Sequence, residues 1–452
     1  MRTLSIRRGG KRVKVSAARR TAPTTHSPPV LGAGLLTVLG LLMTVNPIAS
    51  NIYLPGLAQM AADLGVTVAG AQFALTGFLL GVAVGQLVVG AMTDSLGRRR
   101  VLLLGLGLLT AASALVLLAP TLGVLILGRV LQGFGSSAAV VVTRAVVSDT
   151  ARGAQAARAY SVLMGMLAAG PLFGPLLGTL LLPLGGWRAT FAALLVMSVL
   201  YFVAAALAVP ETLAVADRSP VRIGRLLSNY RRLAGDGGYV GNALAMAFGF
   251  AALVTHVSAS SFVAQDVLRT DEWGFTFLYM AYALAVMAGS AVNAPLSGRF
   301  GARRMLVISQ AVAITAMAVM TVFALTGTLT VATFLATVIP ACAAGSALLA
   351  NATTLTLARA AFAAGSGAAL MGFTQFTLGS LISPLSGVLG PATAAPMALT
   401  MLASFVLSAV AGALGWRAER RRGAGPGARE QENRPHQDAS GRIRPDSGDL
   451  PV

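Results

Sequence analysis

Charge is what this chain lacks most: only 11% of its 452 residues are Asp, Glu, Lys or Arg. That is too little to coat a water-soluble surface of this size. Acid is scarcer than base, with 15 Asp and Glu against 34 Lys and Arg, and no carboxylate falls in the middle of an apolar run. Lysine is nearly absent. Lys11 and Lys14 are the only two, and neither follows a phosphate-binding glycine loop, which argues against an ATP-driven pump. The three histidines, His26, His256 and His436, lie far apart in sequence, so a membrane-embedded transferase, which needs clustered acids, histidines or metal ligands, is a weak alternative. The single cysteine, Cys342, excludes an intramolecular disulfide and a cysteine-only metal cluster and reads as a small packing residue. No metal and no cofactor is expected.

What is present is apolar length. Hydrophobic residues make up 56% of the chain and the mean hydropathy is +0.76. Twelve apolar runs are drawn at 31–54, 68–92, 101–119, 121–143, 159–182, 188–209, 239–264, 274–297, 305–325, 329–354, 365–389 and 393–416. About 20 apolar residues cross roughly 30 Å of hydrocarbon, so each run is a membrane helix. The net charge of +19 might suggest nucleic acid, but the arginines track the loops. Every second connection is basic: eight Lys and Arg precede residue 21, Arg98, Arg99 and Arg100 follow the second run, and Arg299, Arg303 and Arg304 follow the eighth. The alternate connections hold only Arg188 and Arg269. This places both termini in the cytoplasm, with the chain a multi-pass protein of the cell (inner) membrane whose partner is the lipid bilayer. The expected divisions are a basic N-terminal tail (1–29), a first six-helix bundle (30–209), a cytoplasmic linker (210–238), a second bundle (239–416) and a disordered tail (417–452). The basic start resembles a secretory signal, but the run after it continues past residue 50, so cleavage is not expected.

A repeat supports the division. Residues 297–306 line up with 93–102, keeping one glycine (Gly301, Gly97) and two arginines (Arg303 and Arg304, Arg99 and Arg100) at one offset. Gly170 to Gly178 in the fifth run has a counterpart in Gly379 to Gly387 in the eleventh. The fold class expected is therefore an all-α membrane protein of 12 transmembrane helices in two pseudo-symmetric six-helix bundles, with a substrate cavity between them.

Several residues carry readings of their own. Asp94 lies between Gly90 and Gly97, so the chain can approach a neighbouring helix closely there, and a carboxylate at that face can cap a helix N-terminus. Arg98, Arg99 and Arg100 could be topology determinants alone, which would not require Asp94. Arg129 is the only basic residue deep in an apolar run, which is costly unless it faces a cavity or a partner; snorkelling is the structural alternative. Gln132 follows nearly one turn later. Pro171, Pro175, Gly170, Gly174 and Gly178 favour a bent fifth helix packed tightly on a neighbour. His256 is a membrane-embedded group able to protonate in the physiological range, or else a packing histidine.

These residues resemble the major facilitator superfamily, and more closely its Bcr/CflA branch of drug:proton antiporters, over roughly residues 31–416. Gly90, Asp94, Gly97, Arg98 and Arg99 stand where the superfamily signature between helices 2 and 3 has them. Residues 129–135 resemble the fourth-helix motif of proton-coupled members, and Gly170 to Gly178 the fifth-helix motif of exporters. Tyr53-Leu54-Pro55, Arg144 with Asp149, Asn351-Ala352-Thr353 and Gly365 through Gln375 carry the resemblance to the branch. The resemblance implies a monomeric secondary transporter, not an enzyme, that exports small amphipathic compounds by alternating access, with protons and a small-molecule substrate as partners. It implies that Asp94 meets the start of helix 11 near Ala363 to Ser366, and that Arg98 and Asp149 form a cytoplasmic latch that breaks when the inner gate opens. Asn51, Arg129, Gln132, His256 and Asn351 are the candidate polar contacts of a cavity lined by helices 1, 4, 7 and 10. The family's usual acid before Tyr-Leu-Pro is Asn51 here, and an amide carries no proton near neutral pH. An uncoupled or differently coupled carrier therefore remains an alternative.

Overall fold

The computed structural model describes residues 7–8, 11–12, 31–218, 223–388 and 393–423. The tail expected at 1–29 lies outside the described residues, apart from Arg7–Arg8, which pair antiparallel with Lys11–Arg12; of the tail expected as disordered at 417–452, residues 417–423 instead continue the last helix and the rest lies outside the described residues. Twelve membrane helices follow. They are α1 (Ala33–Asn51), α2 (Val68–Leu96), α3 (Arg98–Leu117), α4 (Leu122–Thr150), α5 (153–184) and α6 (187–208). A linker helix α7 (Ile223–Ala234) separates these from α8 (Gly237–Phe262), α9 (Glu272–Phe300), α10 (Ala302–Leu325), α11 (Val331–Arg359), α12 (Ala364–Ile382) and α13 (Ala395–Gly423). The helices α1 to α6 form one bundle and α8 to α13 the other.

Eleven segments are long and apolar enough to cross a membrane, because Arg158–Ala208 runs on without an unpaired loop. Fifty-one residues of straight helix would span far more than the ~30 Å of hydrocarbon. The backbone reverses at Gly186, where φ is +63°, a conformation that glycine adopts without penalty. The turn also requires glycine for space, since a Cβ on Gly186 would stand 2.7 Å from the Gln59 amide. One segment thus supplies α5 and α6, and the crossings number twelve.

Helix ends are fixed by local chemistry. Thr67, Asp236 and Asp271 accept from the backbone N–H groups of Gly70, Tyr239 and Gly274 at 3.1, 2.9 and 2.8 Å, satisfying donors that the first turn leaves free. Several helices outrun the apolar runs that announced them: α2 reaches Leu96, α4 Thr150 and α11 Arg359. Hydropathy marks only the part of a helix inside hydrocarbon, whereas the helix continues into the polar zone. All of these extensions lie at the face that carries Arg98 to Arg100, called here the arginine face. The two hairpins of the sequence repeat share one backbone conformation there: Gly97 has φ +98° and ψ 156°, Gly301 φ +83° and ψ 145°.

Within each bundle, glycine lets helices touch backbone to backbone, the main route to tight packing where lipid is as apolar as the helices. A Cβ on Gly81 would strike the Val130 carbonyl, one on Gly133 the Phe78 carbonyl, and one on Gly289 the Ala343 carbonyl. The bundles meet along α2 with α12 and along α5 with α9. We expect Gly133→Ala to lower the thermal midpoint of the purified protein, at a cost of about 3 kcal/mol. Gly123→Ala, on the same helix with open space around it, should leave the midpoint unchanged or raise it; equal effects of the two would contradict this packing.

Candidate functional site

Arg129 sits on α4 with no exposed surface. Its guanidinium donates to main-chain carbonyls of α1 (Ala49, 2.9 Å) and α2 (Ala74, 3.2 Å) and to Gln132 Oε1 at 3.0 Å. Gln132 in turn donates to Ser113 Oγ on α3 at 2.9 Å. The rings of Phe78 and Tyr53 lie 4.5 and 4.8 Å from the guanidinium carbon. Three carbonyl-type acceptors and two π-faces can hold a buried cation with no carboxylate in contact. Arg129 thus ties four helices of the first bundle together, and it does not snorkel. The aromatic cage was not foreseen: Phe78 and Tyr53 lie on other helices, and no sequence spacing links them to residue 129.

Asn51 is placed by the fifth helix. A Cβ on Gly170, Gly174 or Gly178 would run into Pro47, Asn51 or the Ile52 carbonyl, so α5 lies directly on α1 through one face of residues four apart. Pro171 and Pro175 stand within the same helix, each removing a backbone donor. Pressed against Gly174, Asn51 donates from Nδ2 to the Pro47 carbonyl (2.6 Å) and accepts on Oδ1 from the Tyr279 hydroxyl (2.8 Å). Tyr279 belongs to α9, so this bond joins the two bundles.

Three further bonds do the same. Gln72 donates to the Ser258 carbonyl (3.1 Å), Thr179 bonds Thr276 (2.6 Å) and Gln265 donates to the Pro55 carbonyl (3.2 Å). All four lie in the part of the bundle away from the arginine face. Beside them opens a crevice lined by Gln59, Thr179, Gln265, Glu272 and Trp273, of about 470 Å³.

In the second bundle, Asn351 on α11 donates to Asn293 Oδ1 (2.7 Å) and accepts from Ser297 (2.8 Å), both on α9. His256 on α8 is 1% exposed; its ring lies 4.6 Å from that of Tyr282 and 6.1 Å from that of Phe334. Neither ring nitrogen has a hydrogen-bond partner among the described residues. The structure therefore gathers Arg129 with Gln132, and Asn51 with Tyr279, but keeps Asn351 and His256 apart from both.

At the arginine face, Arg98 pairs with Asp94 at 2.5 Å and with Asp149 at 3.2 Å. Glu211, just after α6, accepts from the Arg98 backbone N–H at 2.9 Å, and Thr212 donates to Asp149 at 2.8 Å. Arg99 donates to the Ala206 carbonyl at 2.6 Å. Asp94 leans back onto its own hairpin with its side chain 64% exposed, where an approach to residues 363–366 of helix 11 was expected. That stretch instead has α7 beside it, with Asn229 donating to Ser366 at 3.2 Å. Gly90 has open space around it, so no close helix contact requires a glycine there. A second cluster stands in the other bundle: Arg359 pairs with Asp236 at 2.8 Å, and Arg303 pairs with Glu419 at 2.6 Å and with Asn242 at 3.1 Å. Sequence reasoning missed this cluster and Glu211; the arginine of the repeated hairpin, Arg303, was the signal that could have found it.

A profile of the Major Facilitator Superfamily matches residues 39–384. An uncharacterized MFS-type transporter of Bacillus subtilis, YdgK, is 32% identical over 380 residues, which is 83% of this chain and 94% of the relative. A bicyclomycin resistance protein homolog of Haemophilus influenzae is 29% identical over 382 residues, 83% and 94% of the two chains. Multidrug resistance protein D of Escherichia coli is 33% identical over 258 residues, 57% and 64%. Among solved structures, a bacterial homolog of the human lysosomal transporter Spinster superposes with a TM-score of 0.64 at 17% identity, over 85% of this chain and 96% of that one.

Two outcomes follow from the geometry. Arg129→Lys should destabilise the protein by about 2 kcal/mol, because an ammonium cannot serve three fixed acceptors and stack on two rings; an unchanged thermal midpoint would contradict the cage. Tyr279→Phe removes one bond between the bundles and should part them more often on the crevice side. The reaction of a membrane-impermeant maleimide with a cysteine placed at Gln59 should then speed up about fivefold, the equivalent of ~1 kcal/mol.

Proposed function

Because this chain belongs to the Major Facilitator Superfamily, we propose that it exports small amphipathic compounds by alternating access of its two bundles, in exchange for protons. It is a secondary transporter and not an enzyme. The observation that carries the mechanism is an asymmetry. Among the described residues, all four side-chain hydrogen bonds between the bundles lie away from the arginine face, while the ion pairs of the arginine face stay within one bundle each. Two internally braced halves sealed on one side are the arrangement that rocking about a midplane requires.

The arginine face is the cytoplasmic one in this reading, as the excess of basic residues there supports, and both termini lie in the cytoplasm of a cell bounded by this inner membrane. The present state is then sealed toward the outside. Opening it outward would bring the arginine-face ends of the bundles together, with Asp94 moving toward the start of α12. The Arg98–Asp149 pair, expected to break as the inner gate opens, is intact with the arginine face unsealed; in this reading the Arg98, Asp149, Glu211 cluster instead latches α2, α3 and α4 to the segment after α6, so that the first bundle moves as one body. The drug-like cargo is supported by the relatives named for bicyclomycin and multidrug resistance. The proton is the part least supported by this site, since Asn51 is an amide bonded to Tyr279; an uncoupled carrier is the second reading.

The test is drug accumulation in cells with and without the protein, repeated after the proton gradient is collapsed. Lower accumulation that returns to the control level with the gradient gone is expected. Lower accumulation that ignores the gradient leaves export standing and overturns proton exchange; no difference between the two cell types overturns export.

A further inference from the structure

The side that is sealed contains polar groups with no partners. Among the described residues, Gln72 Oε1 and Thr76 Oγ1 on α2, Ser258 Oγ on α8, Thr377 Oγ1 on α12 and Ser383 Oγ just after it are buried without a hydrogen bond, and so are both nitrogens of His256. Buried polar atoms are satisfied in the great majority of cases, and each exception calls for a reason. Tyr53, Arg129, Thr143 and Arg218 also carry such an atom, on other elements; the groups named first share a place: the ends of α2, α8 and α12 away from the arginine face, which pack on one another. They are the groups that meet water once that seam opens.

Of these groups, His256 is the one whose side chain can take up a proton near neutral pH once water reaches it. It lies eleven residues before Val267, where the helical continuation of α8 ends on the sealed side. From its ring a row of aromatic contacts leads to the seam: Tyr282 at 4.6 Å, then Tyr279 a further 5.1 Å on, whose hydroxyl makes the bond to Asn51. The titratable groups facing it are Tyr282 and, beyond it on the same helix, Tyr279; Cys342 on α11 lies against those two tyrosines. No carboxylate, Lys or Arg acts on the ring from α8 or from α2, α9, α11, α12 and α13 packed around it, among the described residues. A cationic ring would therefore have two N–H donors and no acceptor in the sealed state, a costly arrangement in a dry interior.

We propose that His256 carries the exchanged proton, loaded when the α2, α8 and α12 seam opens and surrendered when it closes. This rests on the proton-exchange reading given above and supplies the group that Asn51 cannot be. In the open state, water on the outer side transfers a proton to the free ring nitrogen, and the imidazolium donates both N–H bonds to water. Closure strips those acceptors away. The proton passes to water on the arginine-face side, and the ring returns to the neutral form, with no other bond made or broken. The row through Tyr282 and Tyr279 links the ring's position to the bond that holds the bundles together, so that loading and opening favour each other.

The test uses the full chain reconstituted in vesicles of phosphatidylethanolamine and phosphatidylglycerol, with ethidium as the transported probe. Across a gradient of one pH unit, one exchanged proton drives about tenfold accumulation. We expect the unaltered chain to reach that level, and His256→Gln, which keeps the hydrogen bonding but not the titration, to move ethidium only down its own gradient. If His256→Gln still accumulates ethidium about tenfold, the assignment to His256 falls and proton exchange stands. If the unaltered chain moves ethidium with no response to the gradient, both fall. A second readout needs neither a transported probe nor a folded His256 variant. In a chain carrying His26→Gln and His436→Gln, the remaining imidazole is the single histidine and its carbon-13 signal reports its charge. In the sealed state that ring is expected to stay neutral between about pH 5 and 8; with Tyr279→Phe added, so that the seam parts more often, its signal is expected to titrate in that range, and a ring that stays neutral in that chain too overturns the proposal.

Discussion

Close approach of α5 to α1 is the constraint on which the rest of the structure depends. In hydrocarbon, two helices gain little from merely hiding apolar side chains, so their association relies on contact distance and on polar bonds made at that distance. Gly170, Gly174 and Gly178 remove the side chains that would hold the helices apart, and Pro47, Asn51 and Ile52 fill the space. That contact leaves Asn51 one direction for its amide oxygen, across the midline to Tyr279. It also fixes the carbonyl of Ala49, on the same stretch of α1, as an acceptor for Arg129. The bond between bundles and the polar centre of the first bundle are thus both consequences of three glycines.

Arg129 shows how a membrane interior tolerates a cation. Its partners are dipoles and rings instead of a carboxylate, and they come from α1, α2 and α4. An ion pair there would have invited competition from any passing proton or charged cargo. A cage of carbonyls has no such exchangeable partner, and through it Arg129 braces the first bundle. Among the described residues, the second bundle has no buried cation of this kind. It is held by Asn351 with Asn293 and Ser297, all uncharged, and it contains the unpartnered His256. One bundle has a buried cation at its core; the other has a buried histidine without a hydrogen-bond partner.

Much of this was legible in the sequence. The twelve crossings could be read because hydropathy and arginine placement report the same boundaries independently, and the repeated hairpin because Gly97 and Gly301 must both adopt positive φ. The fifth-helix glycines announced a tight contact, although not which helix they touch. What remained hidden was pairing between distant segments. Nothing about Glu211 or Glu419 marks them as partners for a hairpin backbone or for Arg303, since each looks like an ordinary charge at a helix end. Arg129 was read as a cavity residue because depth in an apolar run was the visible signal, whereas the aromatic faces that shield it come from Phe78 and Tyr53, 51 and 76 residues away respectively. Asp94 was placed against helix 11 by resemblance, and the sealed side of this state lies at the other end of that helix.

The strength of the seal is consistent with a transporter that must open. A neutral hydrogen bond contributes a net ~0.5–1.5 kcal/mol, so the four that join the bundles amount to about 2–6 kcal/mol. Against this stands the strain of burying Gln72, Thr76, Ser258, Thr377 and Ser383 with unmet bonds, a penalty that water relieves as soon as the seam parts. The two contributions oppose each other on the same surface. A bilayer-embedded seam without those polar groups would close more firmly; with them, the seal is weakened on the same surface that has to part.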